Sequence, residues 1–113
     1  MSHVSGKLVP ETGLNEILAA TFPGGSITGC PRIAAVHLLN RLEPEPRGIY
    51  TGTIGWIQAD LGACDLNIAI RTCTLNEDTL TFGVGGGIVW DSEPDLEYDE
   101  TVVKGRSIVQ CLN

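Results

Sequence analysis

The sequence is short of several features that mark whole classes of protein. It has no apolar run that approaches the roughly 20 residues of a membrane-spanning helix. Its first residues, MSHVSGKLVPE, contain neither the apolar stretch nor the cleavage site of a secretory signal peptide. Seven residues are basic and fourteen are acidic, and the net charge of −7 argues against a surface for nucleic acid or an anionic membrane.

Metal-binding cysteine motifs are also missing. The four cysteines form no C-x-x-C pair, and only two histidines could complete a zinc site, so the sequence argues against bound zinc. Scattered thiols without a signal peptide indicate the reducing cytoplasm. The 113 residues contain no linker or repeat, which predicts one domain over residues 1–113 with one modest core.

The hydrophobic pattern predicts an α+β fold in which helices pack on a mainly antiparallel sheet. Apolar residues at helical spacing indicate helices, and alternating runs rich in β-branched residues indicate strands. The predicted helices lie within residues 13–22, from 31 to 43 and from about 94 to 112. The predicted strands cover residues 3–8, 49–58, 64–75, 79–85 and 86–90, and the last two could be one bent strand.

We expect the core to form where the second helix meets the middle of the sheet. The apolar stripe of that helix includes Leu38 and Leu39. The strand over 64–75 places Ile68 and Ile70 on one face. Burial of these side chains should therefore dominate the stability of the fold.

Two glycine-rich segments precede predicted helices. The first, GGSITGCP, offers backbone N–H groups and the hydroxyls of Ser26 and Thr28 ahead of a helix, an arrangement that attracts carboxylates and phosphates. It lacks the ending of a P-loop and the G-x-G-x-x-G spacing, and a tight turn with a helix cap would also give this pattern. The second, Gly85, Gly86 and Gly87, would let a ligand lie against bare backbone.

Charged side chains accompany these glycines. Arg71 is predicted on a strand face lined by small residues, where its guanidinium could bind a carboxylate, although an exposed face would also explain it. Glu97, Glu100 and Lys104 share one face of the last helix. Two carboxylates there suit Mg²⁺, while an acidic helix start with a Glu100–Lys104 pair is the alternative explanation.

The motifs are most specific when taken together. FPGGSITGCPR, RGIYTGTIGW, DLNIAIRT, GGGIV and EPDLEYDETVVKG occur in this order in the chorismate-binding enzymes, and the chain resembles the C-terminal quarter of that family. The GGSITG form is more similar to the para-aminobenzoate branch. For the whole enzyme, the resemblance implies conversion of chorismate and ammonia to 4-amino-4-deoxychorismate for folate biosynthesis. It also implies a glutamine amidotransferase partner that supplies the ammonia.

The resemblance implies roles for the residues that would contact the substrate. Tyr50 and Arg71 match residues that hold the enolpyruvyl carboxylate of chorismate. Ser26 matches a hydroxyl near the substrate ring. The glycine run at 85–87 matches backbone that receives carboxylate groups.

The resemblance also implies a magnesium site. Glu100 matches a metal ligand, and Glu97 and Lys104 match catalytic residues beside it, Glu97 as a candidate acid/base. The second metal ligand, a catalytic histidine and a nucleophilic lysine of this family have no counterpart in these residues. We therefore expect the isolated chain to be inactive, and to self-associate through open strand edges. The alternatives are component I of anthranilate synthase and a non-catalytic anion-binding fragment.

Overall fold

The structure, a computed structural model, describes residues 2–60 and 62–112 and confirms the mixed α+β composition. Within these ranges, no helix combines the length and the apolar character needed to cross a membrane. The helices are α1 (Leu14–Thr21), α2 (Gly25–Thr28), α3 (Arg32–Leu42) and α4 (Pro94–Val109). The strands are β1 (Thr53–Ile57), β2 (Cys64–Ile68), β3 (Cys73–Asn76) and β4 (Thr79–Phe82).

Side chains cap the first helix at both ends. The N–H of Gly13 donates to the Glu16 carboxylate at 3.0 Å, which satisfies one donor at the start of α1. At the other end, the guanidinium of Arg32 donates to the carbonyl oxygens of Ala19 and Ala20 at 2.8 and 2.7 Å. Because Arg32 is the first residue of α3, these two bonds tie the end of α1 to the start of α3.

The strands form two separate antiparallel hairpins, β1–β2 and β3–β4. In the first hairpin, Trp56 lies opposite Asp65. Two further backbone hydrogen bonds extend it, from Thr51 N–H to the Ala69 carbonyl at 2.9 Å and from Ala69 N–H to the Gly52 carbonyl at 3.0 Å. The single sheet predicted from the sequence is therefore not formed among the described residues.

Several predicted strands are wrong or too long. Residues 3–8 and 86–90 form no strand, because no described strand pairs with them. The strand predicted over 64–75 breaks at Arg71, whose φ of 50° bends the chain between β2 and β3. The GGSITGCP segment, predicted as a loop, contains the single helical turn of α2.

The core is much smaller than the sequence predicted. Among the described residues, Ala69 is the one apolar residue that is buried, while Leu38 and Ile70 are 52% and 43% exposed. Leu39 and Ile68 are half-buried. The accessible surface is 9652 Å² for a mass of 12.0 kDa, whereas a compact protein of that mass exposes about 6,000 Å². The described residues thus leave a large apolar surface uncovered.

Uncovered strand edges and apolar side chains should make the isolated chain self-associate. We expect sedimentation velocity to show oligomers whose proportion rises with protein concentration. The substitution Trp56→Lys on the exposed face of β1 should shift the population toward monomer. The control, Gln110→Lys after α4, adds the same charge away from the hairpin and should not shift it. A strictly monomeric profile of the unaltered chain at every concentration would contradict this prediction.

Gly55 sets the close approach of β1 to β2. A Cβ at this position would overlap the carbonyl oxygen of Asp65 on β2. Gly55→Ala should therefore break the strand pairing, at a cost of about 1–3 kcal/mol, and hydrogen-exchange NMR should show lost amide protection across the hairpin. Gly6→Ala is the matched control, since nothing lies within 4 Å of a Cβ there. Equal protection in both variants would refute the steric argument.

Candidate functional site

Seven of the nine predicted site residues line one cavity of about 530 Å³. The cavity lies where α2, the turn before β1, the segment after β2, the glycine run and α4 come together. The seven are Ser26, Tyr50, Arg71, Gly85, Gly86, Gly87 and Lys104. The other two, Glu97 and Glu100, lie on α4 and contact the cavity wall through the glycine run and Lys104.

The missing side chains of the glycine run leave room for neighbouring side chains of the protein, in addition to any space for a ligand. A Cβ on Gly85 would come within 2.9 Å of the Tyr50 hydroxyl, and one on Gly86 within 3.1 Å of Oε2 of Glu97. At Gly87 a Cβ would meet nothing within 4 Å. The first two glycines therefore allow side chains from two elements to approach the backbone, and the third leaves open space.

The Glu97 carboxylate has one satisfied and one unsatisfied oxygen. Its Oε1 accepts a hydrogen bond from the hydroxyl of Ser92 at 2.6 Å, and that hydroxyl accepts one from Val89 N–H at 3.0 Å. Its Oε2 is buried and has no hydrogen-bond partner among the described residues. A buried unpaired carboxylate oxygen is costly, and its position favours a cation or a protonated group. Sequence reasoning missed Ser92, because a serine ahead of a helix indicates a cap for that helix and does not indicate a bond to the Glu97 side chain.

Lys104 joins the last helix to the glycine run. Its Nζ lies 2.5 Å from Oε1 of Glu100 and donates to the carbonyl oxygen of Gly85 at 3.0 Å. The ion pair confirms the i, i+4 interpretation of these two charges. Because the two side chains are 38% and 52% exposed, the pair itself adds little stability, about 0.3–0.5 kcal/mol. Through these two contacts, Lys104 links Glu100 to the backbone of the glycine run.

Arg71 lies in a different setting from the one predicted. It is not on a strand face but in the break after β2, where it is exposed. Its guanidinium makes no side-chain hydrogen bond or ion pair with any described residue. The side chain is therefore available to a carboxylate that enters the cavity. Ser26 is likewise exposed, on α2.

Comparison with known proteins identifies the family to which the chain belongs. The family model described as chorismate binding enzyme matches residues 1–110. The chain belongs to the chorismate-binding enzymes. The resemblance inferred from the sequence motifs is thus confirmed at the level of the family.

Curated relatives of this chorismate-binding chain include proteins of two names. Anthranilate synthase component 1 1 of Haloarcula marismortui is 42% identical over 113 residues, which cover 100% of the chain and 23% of that protein. Aminodeoxychorismate synthase of Streptomyces griseus is 40% identical over 113 residues, 100% of the chain and 16% of that protein. Anthranilate synthase component 1 of Cereibacter sphaeroides is 40% identical over 108 residues, 96% of the chain and 21% of that protein. The chain thus spans about a fifth of the length of these relatives.

A second group of polar residues in this chorismate-binding chain was missed by sequence reasoning. Arg47 pairs with Glu43 through two hydrogen bonds of 2.7 and 2.5 Å and also donates to the Thr51 hydroxyl at 3.1 Å. These bonds hold the pKa of Glu43 below its ordinary value of 4.5 and raise the pKa of Arg47, against the opposing effect of burial. The i, i+4 spacing was a usable signal, but two prolines between the residues indicated only a turn.

The cavity combines groups that suit an anionic ligand in an acidic chain. Arg71 and Lys104 supply positive charge, Tyr50 and Ser26 supply hydroxyl donors, and the open backbone at Gly87 adds polar main-chain groups. Glu97 brings a carboxylate oxygen without a partner to the same wall. Such a site can bind a carboxylate-bearing molecule and place a cation beside it.

Proposed function

We propose that the chain is the part of a chorismate-aminating synthase that holds the carboxylates of chorismate. Aminodeoxychorismate synthase component I is the first candidate, in which the whole enzyme replaces the 4-hydroxyl of chorismate with ammonia from a glutamine amidotransferase subunit. The observation that carries the proposal is the cavity where Arg71, Tyr50 and the glycine run meet. The GGSITG motif supports the para-aminobenzoate branch.

The substrate-binding roles follow from what each group offers. The unpaired guanidinium of Arg71 binds the enolpyruvyl carboxylate through two parallel hydrogen bonds, and the Tyr50 hydroxyl adds a third. The backbone at the glycine run receives the ring carboxylate. Ser26 lines the same cavity and places its hydroxyl near the substrate ring.

The residues present fit a magnesium ion. Mg²⁺ commonly takes one or two protein carboxylates and completes its octahedron with water and substrate oxygens. Glu97 offers the buried oxygen without a partner, and Glu100 offers a carboxylate three residues later on the same helix. The described residues contain no group of three or more metal-ligating side chains, so this chain would supply only part of the coordination shell. When bound, the ion would stabilise negative charge on the substrate as the ring hydroxyl leaves.

Lys104 and Glu97 are the proposed catalytic residues. Lys104 already donates to the glycine run, so its ammonium stands where a substrate carboxylate would approach the backbone. Glu97 is held in one orientation by Ser92, and its second oxygen can carry or accept a proton beside the substrate. The remaining groups that the reaction requires would come from polypeptide that corresponds to the rest of the longer relatives.

The second candidate is component I of anthranilate synthase. It is supported by relatives of that name at 40–42% identity over nearly the whole chain. Both candidates use chorismate and ammonia, and the cavity groups suit both. A third reading, a non-catalytic module that binds simple anions, would require phosphate to bind in preference to dicarboxylates.

Magnesium should bind the isolated chain weakly, because Glu97 and Glu100 supply only part of an octahedral site. In a Mg²⁺ titration followed by amide NMR, we expect shifts concentrated at the start of α4. Glu97→Gln and Glu100→Gln should each weaken the response, whereas Asp99→Asn, an exposed residue of the same helix, should not. A response confined to the loop residues Asp60 and Asp78 would count against the site.

Activity can be tested in a chimera, in which this chain replaces the matching segment of a longer relative. The isolated chain should not convert chorismate, since each missing group contributes on the order of 10²-fold or more to the rate. Inserted into the aminodeoxychorismate synthase of Streptomyces griseus, it should restore amination, and Glu100→Ala should abolish it while Asp99→Ala retains it. A chimera made in the same way from the anthranilate synthase of Haloarcula marismortui should turn over more slowly than the Streptomyces griseus chimera. Amination by the isolated chain, or full activity of the Glu100→Ala chimera, would overturn the proposal.

A further inference from the structure

We propose that Arg47 is a positioning residue that holds the ring of Tyr50 against the glycine run. This inference rests on the proposed function for its consequence, which is the orientation of the Tyr50 hydroxyl toward a substrate carboxylate. The position of the ring itself can be measured without any substrate.

Arg47 is fixed in place by three hydrogen bonds. Its Nε and one terminal nitrogen donate to the two carboxylate oxygens of Glu43, which directly follows α3. The other terminal nitrogen donates to the hydroxyl of Thr51, a residue that is 5% exposed and has a φ of 65°. A planar guanidinium bound on both sides cannot rotate freely, so it forms a rigid support.

The Tyr50 ring lies between this support and the glycine run. The guanidinium carbon of Arg47 is 5.5 Å from the ring centroid, within the range of a cation–π contact. A Cβ on Gly83 would overlap the ring, and a Cβ on Gly85 would come within 2.9 Å of the hydroxyl. The ring therefore runs along the backbone of 83–85, with its hydroxyl at the end nearest the predicted carboxylate site.

The same residues form a wall between two cavities. Glu43, Arg47 and Tyr50 line the candidate site and also a second cavity of about 670 Å³ beside the turn before β1. Without the guanidinium, the ring could swing toward this second cavity, because the one side-chain hydrogen bond to Tyr50 among the described residues, from the Thr51 hydroxyl, reaches its carbonyl oxygen and not its ring. Arg47 thus determines which cavity receives the tyrosine hydroxyl.

The test follows the ring and the ligand separately in the full chain. With ring-labelled tyrosine, NMR should show contacts from Tyr50 to the α-protons of Gly83 and Gly85. Tyr98, the one other tyrosine, is 69% exposed and serves as an internal reference. Arg47→Met should remove these contacts and raise the dissociation constant for chorismate about three- to tenfold. The variant loses both the cation–π contact with the ring and the hydrogen bonds that hold the guanidinium in place. Arg47→Lys, which keeps the charge but not the fork, should be intermediate.

Two further variants keep the test decisive. Gly83→Ala should displace the ring while leaving the Glu43–Arg47 pair intact, so it applies even if Arg47→Met does not fold. Arg41→Met makes the same charge change at an exposed residue of α3 and should alter neither readout. Unchanged ring contacts in Arg47→Met would overturn the inference, as would displaced contacts with unchanged chorismate affinity. If the ring responds as expected but the unaltered chain binds no chorismate, the positioning holds and the proposed function fails.

Discussion

The candidate site depends on the pairing of Ala69 with the chain at Thr51 and Gly52. These two backbone hydrogen bonds extend the first hairpin beyond its strands and bring the turn that carries Tyr50 beside the segment that carries Arg71. Ala69 is also the one buried apolar residue among those described, so the site adjoins the small core. Tyr50 and Arg71, which are 21 positions apart in the sequence, thereby line one cavity.

Features that depend on local sequence were predicted well. The α1, α3 and α4 helices form close to where proline and apolar spacing placed them, and the order of the two hairpins follows the predicted turns. Strand pairing was predicted poorly for a physical reason. An alternating pattern shows that a segment such as 3–8 suits an extended conformation, but it does not show whether a partner strand lies among the same residues. The missing core has the same origin, since apolar periodicity reports a face to be covered and not what covers it.

Residues that line or adjoin the cavity were predicted where a motif carried them and missed where only three-dimensional contact reveals them. The glycine run, Arg71 and the charges on α4 stood out as a set through their resemblance to one family. Glu43, Arg47 and Ser92 act by holding other side chains, and their partners are set by turns whose geometry the sequence does not specify. Arg71 lines the cavity but was predicted on the wrong element, because its positive φ is uncommon for a residue with a side chain.

The placement of the two tryptophans has a practical consequence. Trp90 is 99% exposed in the segment between the glycine run and α4, and Trp56 is 55% exposed on β1. Both indoles therefore emit from a largely aqueous environment, one beside the site and one on the uncovered hairpin. Any polypeptide that covers either surface would move that emission to shorter wavelength, so the chain carries two intrinsic optical reporters of its own assembly.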